Sequence, residues 1–214
     1  MNIRFNVVRT AALAALLGLA SMVSLAPASL ADGSKLQSGS AGWTIDTAHT
    51  GISFSVRHMV VSRVRGRFNS FSGSVVANTS DFTKSSVQFT IQVASIDTNQ
   101  PQRDAHLKTA DFFDAAKYPQ IIFKSSSISK VSEGKYVAHG SFTMHGVTKQ
   151  IDLPFDLYGP LKDAFGQVRL GIQASLIINR QDYGVKWNQK LDSGGLAVSN
   201  DVDIEINLEA TPAA

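Results

Sequence analysis

From Trp43 onward the apolar residues of this chain recur at every second position, and a chain written this way buries itself as strands. In VQFTIQV (87–93), Val87, Phe89, Ile91 and Val93 share one face while Gln88, Thr90 and Gln92 share the other. IDLPFDL (151–157) and VDIEINL (202–208) repeat the pattern. Each such strand has one dry face and one wet one. Further segments at 52–60, 71–77, 121–128, 136–144 and 169–178 bring the number to about eight, mostly antiparallel because the connections are short. With no internal repeat and no second compositional zone, the pattern predicts one mainly β domain. A closed barrel or a two-layer sandwich would hide its edges.

A barrel of about eight strands is either filled by its own side chains or wide enough for a small ligand. The inward phase contains Phe54, Val56, Phe89 and Ile91. On 136–144 it continues as Ala138, Gly140, Phe142 and Met144, and on 169–178 as Leu170, Ile172, Ala174, Leu176 and Ile178. Small residues interleaved with large ones leave room for a ligand if they face each other, and make an ordinary core if they face bulky partners. Both remain open on the pattern alone.

The first thirty-one residues read as an export signal. Arg4 and Arg9 precede the apolar run AALAALLGLASMVSLA (11–26), and small residues lead to a cut after Ala31, with Ala28 the minor alternative. Residues 32–42, DGSKLQSGSAG, read as a flexible leader, and 43–211 as the folded domain. The expected location is the periplasm or the medium. The sequence contains no cysteine, which a 183-residue mature chain with a real core tolerates even in an oxidising compartment. Without Arg4 and Arg9, 18 basic residues stand against 17 acidic ones. That balance argues against a nucleic-acid partner.

One segment departs from the strand pattern. In RDAHLKTADFFDAAKYP (103–119), Pro101 suits a first helical turn, Asn99 or Thr98 a cap, and Pro119 a stop, which predicts a short helix over 101–116. Asp104 precedes Lys108 by four residues, the favourable order for a helical ion pair. His106, Ala110 and Phe113 form a second stripe, and Phe112 with Phe113 would lay the helix over one barrel end. Asp104 and His106, two residues apart, point away from each other, so no metal site is expected there.

Two further patterns carry competing readings. DTAHT around His49 and LDSGG at 191–195 imitate the histidine and serine motifs of chymotrypsin-like proteases, but Leu191 replaces the glycine that should supply an oxyanion-hole N–H. The second motif reads better as a turn before the last strand. Arg63, Arg65 and Arg67 alternate, as do Asp201, Asp203, Glu205 and Glu209, so cross-strand pairing of the first and last strands explains both stripes better than an anion clamp. Arg57 and His58 are the exceptions, expected at the mouth with His106 and His145.

Four blocks then resemble a known family: WTIDTAHTGISFSVRHMVVSRVRGRFNSFSGSV (43–75), SIDTNQPQRDAHLKTADFFDAAKYPQIIFKS (95–125), GSFTMHGVTKQIDL (140–153) and INRQDYGV (178–185). Together they resemble the YceI-like proteins over essentially the whole mature chain. The resemblance implies an antiparallel, lipocalin-like β-barrel holding a polyisoprenoid or quinone-type lipid in its bore. Met144 stands where such blocks often carry Ile or Leu. The resulting expectation is a carrier with no cofactor and no catalytic set, whose partner is a long-chain isoprenoid lipid. Transient membrane-surface contact and a homodimer are left open. The alternatives are an enzyme acting on an isoprenoid or amide head group through His58, His106 or His145, and a ligand-free envelope interaction protein with a filled barrel.

Overall fold

The computed structural model describes residues 40–192 and 195–213. The expected export signal and residues 32–39 of the leader lie outside them, as do Ser193 and Gly194. The strands are β1 (Ser40–Ile45), β2 (Gly51–His58), β3 (Ser62–Phe68), β4 (Phe71–Asn78), β5 (Ser86–Gln92), β6 (Ile96–Asp97), β7 (Gln120–Ser132), β8 (Lys135–Met144), β9 (Val147–Lys162), β10 (Val168–Asn179) and β11 (Val198–Pro212), with one α-helix among the described residues, α1 (Pro101–Leu107). Residues 40–42, expected as leader, already belong to β1, where Gly42 lies opposite Val76 of β4.

Eleven strands reduce to eight staves. β11 gives a single edge to two partners: Ala210–Pro212 pair with β1, and Val198–Asn207 pair with β2. In the same way β3 and β4 face β2 and β1, while β6 and β5 face β3 and β4. The first three staves are therefore single strands interrupted at 46–50, 69–70 and 93–95. From β5 the order runs β7, β8, β9, β10, β11, every neighbour antiparallel, and returns to β1 and β2. This is a closed eight-stranded up-and-down barrel, the one of the two expected architectures that abolishes sheet edges by closure. Each of the eight segments picked out by the alternation lies on one stave.

The two ends differ. At one end Phe82, Tyr136 and Phe155 pack with ring centroids 5.5 to 6.0 Å apart. Around the same end Arg169 gathers three carboxylates, donating to Asp163 at 2.7 Å and Asp46 at 3.1 Å, and bonding Glu209. His49 adds a 2.8 Å contact to Asp46. Asp46, His49 and Glu209 bring donor atoms within 4.8 Å of one another, yet the cation they surround is the guanidinium. The protease-like DTAHT motif is thus part of an ion cluster that fastens the β1–β2 break to β10 and β11.

α1 is shorter than expected. It ends at Leu107, and a chain of turns carries the backbone to β7, with Phe113 N–H bonded to Leu107 O at 3.1 Å and Ala115 N–H to Lys108 O at 3.0 Å. The His106–Ala110–Phe113 stripe therefore does not exist. Pro101 does open the helix, but Gln100, not Asn99 or Thr98, caps it by accepting from Arg103 N–H. The expected Asp104–Lys108 ion pair is replaced by a tighter arrangement. Asp104 accepts from the Thr98 N–H at 2.9 Å and its hydroxyl at 2.5 Å, while Arg103 donates to the same hydroxyl and to the Thr98 carbonyl, both at 2.7 Å. Thr98, 5% exposed, is the knot that ties α1 to β6.

The arginine and acid stripes meet only in part. Arg63 reaches Asp203 on β11 across β2, but Arg67 pairs with Asp97 at 2.8 Å, because β3 lies between β2 and β6 and has no contact edge with β11.

The hydrogen bond from His49 holds the Asp46 carboxyl below its ordinary 3.8, and the Arg169 side chain does the same for Asp163. Groups lowered in this way stabilise the fold above their unfolded values and lose that contribution as pH falls through the folded ones. His49, raised by Asp46, adds stability only on the acid side of its own folded value, where it is protonated. Thermal melts should therefore show a falling midpoint once pH drops below about 4. Arg169→Met should lower the midpoint at neutral pH and flatten this acid limb; an acid limb as steep as the parent's would mean that other carboxylates set it.

Candidate functional site: an apolar bore with a polar mouth

The alternation that closes the barrel also turns its apolar residues inward, and they do not fill it. A cavity of about 570 Å³ runs through the interior, within the range of small-molecule sites. Its floor is Phe82 and Phe155. Its walls include Phe54, Val56, Phe89, Ile91, Phe142, Met144, Ile172 and Ala174, and Phe112 and Phe113 reach it from the turns after α1. Most polar lining residues gather where β2 and β10 end and on the segment from Thr98 through α1: His58, Thr98, Gln100, Gln102, Arg103, His106 and Arg180; Ser53 and Ser86 lie elsewhere on the lining.

Not every expected residue lies there. Leu170 points inward but lies below the floor, 1% exposed and paired with Ala210, where it is plain core. Arg57 is exposed on the outer wall, because the same alternation that turns Val56 and His58 inward turns Arg57 out. His145 sits in the β8–β9 turn with positive φ, its ring 4.5 Å from Tyr118 and outside the bore. Of the four mouth residues expected, His58 and His106 line the cavity.

Small inward residues divide into two kinds. A Cβ on Gly140 would lie 2.4 Å from the Lys124 carbonyl oxygen, so neighbouring backbone at the β7 bulge occupies its place and no ligand space arises there. Ala138 and Ala174 do face the cavity. Glycine here lets the wall bend, and alanine leaves the volume.

The mouth is covered by aromatics. Trp187, absent from the sequence expectations, packs its ring 4.9 Å from Phe112 and edge-on to His106 at 5.5 Å; His106 is itself edge-on to Phe112 at 5.1 Å. His106 Nε2 lies 2.8 Å from an Asp111 carboxylate oxygen, which fixes its ring. Phe113 turns the other way, 6.3 Å from Phe68.

Arg180 holds this cover in place. Its guanidinium donates to the carbonyls of Ser199 at 3.0 Å and of Val185 and Trp187, each at 2.8 Å, which binds the β10–β11 loop across the barrel end. The side chain is buried, and burial lowers its pKa. Its remaining nitrogen, Nη2, has no partner among the described residues and essentially no accessible surface. Arg180 fell on a family-like block in the sequence, but its role depends on carbonyls five to nineteen residues away, and no local pattern announces them.

Comparison with known proteins agrees with this architecture. The YceI-like domain model matches residues 43–210. A UPF0312 protein of Staphylococcus aureus is 34% identical over 168 residues, covering 78% of this chain and 95% of that protein. The chain belongs to the YceI-like family. Among solved structures, Burkholderia cenocepacia BcnA is 27% identical with a TM-score of 0.69, covering 78% of this chain and 99% of its own. A polyisoprenoid-binding domain from Saccharophagus degradans, at 16% identity and a TM-score of 0.61 over 81% of this chain and 99% of its own, shares the fold.

Aromatic contacts of this kind are worth about 0.5–1.5 kcal/mol each, so removing both of Trp187's should speed escape from the bore by roughly five- to a hundredfold or somewhat more. Stopped-flow release of an apolar fluorescent dye from Trp187→Ala would measure this. Release at the parent rate would mean that the cover does not control access.

Proposed function

We propose that this YceI-like protein is an exported carrier that sequesters a long-chain isoprenoid or quinone-type lipid in its bore. The observation that carries the reading is the largely apolar cavity whose charged, imidazole and amide groups gather at one end. A long tail and a small head fit that division. The structural neighbour from Saccharophagus degradans, a polyisoprenoid-binding domain, points to the same ligand class. Export rests on the basic start, apolar run and small residues of 1–31. At ~0.3 kcal/mol per heavy atom, a forty-carbon tail could supply on the order of 12 kcal/mol with hardly any polar contact. Binding of this kind asks for no catalysis.

One observation favours an enzymatic alternative. His106 lines the mouth and is hydrogen-bonded to Asp111, the arrangement a general base would use. The two readings separate on the lipid itself. In a carrier, His58→Gln, His106→Gln and His145→Gln each leave the bound lipid chemically unaltered; a distinct lipid species accumulating in one variant would favour catalysis.

Because each buried methylene is worth up to ~0.8 kcal/mol, affinity across a prenyl series should climb with chain length until the bore is full. Ala174→Phe should move that limit to shorter tails, as read by native mass spectrometry and competitive dye displacement. Equal binding of short and long tails would place recognition at the mouth and sink the bore as the source of affinity.

A further inference from the structure

The β2–β3 turn raises a question that lipid storage does not answer. Val61 N–H bonds the His58 carbonyl at 3.0 Å, and the two central residues, Met59 and Val60, have φ of 51° and 63°. This is the pattern of a hairpin turn that normally takes Asn-Gly. A β-branched residue is strained there. The chain nevertheless places Met-Val at these positions and leaves them in water: Met59 is 44% exposed, Val60 71% and Val61 89%. Neither folding nor solubility is served by that choice.

The surroundings say what it serves. Met59 N–H bonds the Ala197 carbonyl at 3.0 Å, next to the partly exposed Leu196, so the apolar tip continues onto the β10–β11 loop. Arg57 and Arg65 flank the tip, exposed and without an ion pair among the described residues, and Arg63 neutralises Asp203. Residues 57–65, RHMVVSRVR, contain no acid. Lys186 and Lys190 are exposed on the neighbouring loop, against Asp192 there and Asp201 on β11. His58 and Val64, on either side of the turn, line the bore. The opposite end of the barrel also exposes Phe165 and Leu161 beside Lys162, but Arg169 is engaged there by carboxylates and the floor is sealed, so no opening of the bore adjoins that patch.

We propose that Met59, Val60 and Val61 are a membrane-docking tip that inserts into the interface of an anionic bilayer, held by Arg57 and Arg65, and sets the mouth of the bore against the lipid surface. An apolar wedge flanked by arginine is the combination that such an interface accepts. A tail could then pass between bilayer and bore without crossing water. The proposal stands on the surface alone, so vesicle binding and lipid loading are read separately.

The test is co-sedimentation of the full protein with vesicles of phosphatidylcholine, with and without phosphatidylglycerol. The parent should bind the anionic vesicles, and high salt or the pair Arg57→Gln with Arg65→Gln should weaken binding about tenfold or more. The pair Met59→Asn with Val60→Gly gives the turn its preferred residues, so its melting temperature should rise while vesicle binding falls. Val61→Ser, which leaves the turn backbone alone, should weaken binding in the same direction. Phe165→Ser should bind as the parent does. The proposal is overturned if the parent ignores anionic vesicles, or if the Asn-Gly variant sediments with them undiminished. It is equally overturned if the tip variants instead convert a parent dimer to monomer with vesicle binding unchanged, since the occupant of the tip would then be a second copy of this chain.

Discussion

The backbone pairing that closes the barrel is the constraint on which the rest depends. β11 has one free edge after pairing with β10, and two short strands must share it: β1 at Trp43–Ile45 and β2 at Gly51–His58. Their interruption at 46–50 lies level with those at 69–70 and 93–95, so a seam crosses three adjacent staves. Interrupted strands are where a sheet turns a corner. Below the seam the aromatic floor seals the barrel; above it β2, β3 and β6 form the wall that carries Thr98 and receives α1. The Arg169 cluster sits on the seam's end at Asp46, where the shared edge changes hands.

Polar chemistry at the mouth is largely committed to building the mouth. Arg103 and Asp104 are spent on Thr98, Arg180 on three carbonyls, and His106 on Asp111 and two aromatic rings. A charged side chain that satisfies backbone acceptors in a buried setting is a fastener, and its removal would leave those acceptors unmatched. This gives the density of charge in RDAHLKTAD a structural account. The sequence crowds these residues together because the fold needs one short helix held firmly over an opening.

What could be read from the sequence follows from what is local. Alternation located all eight staves, since each strand carries its own record of inside and outside. It could not show that three of them are broken, because 62–68 lacks a clean apolar phase: Arg63, Arg65 and Arg67 mark its outer face, but Gly66 interrupts the inner one. Gly140 and Ala174 looked alike in the pattern and are opposites in space, one filled by the Lys124 carbonyl and one open to the bore. The length of α1 was misjudged because charge spacing fits a helix and a run of turns equally well. Trp187 stands in a loop with no period, and its stacking on Phe112 joins segments seventy-five residues apart.

The same physics explains how an unfilled bore is compatible with a stable fold. Voids cut into a packed core cost about 24 cal/mol per Å³. Charged at that rate, 570 Å³ would amount to roughly 14 kcal/mol, as large as the whole stability of a typical domain. The volume is therefore held open by contacts that do not cross it. Backbone ladders run around the wall, Phe82, Tyr136 and Phe155 pack against one another at the floor, and Arg180 bridges carbonyls at the rim. An occupant adds its contacts to a frame already complete. Since those contacts are apolar and spread along the bore, they grow with the length of what enters, while the engaged polar groups at the rim leave little for a head group to gain. For the carrier proposed above, discrimination by tail length would follow from that division of labour between wall and rim.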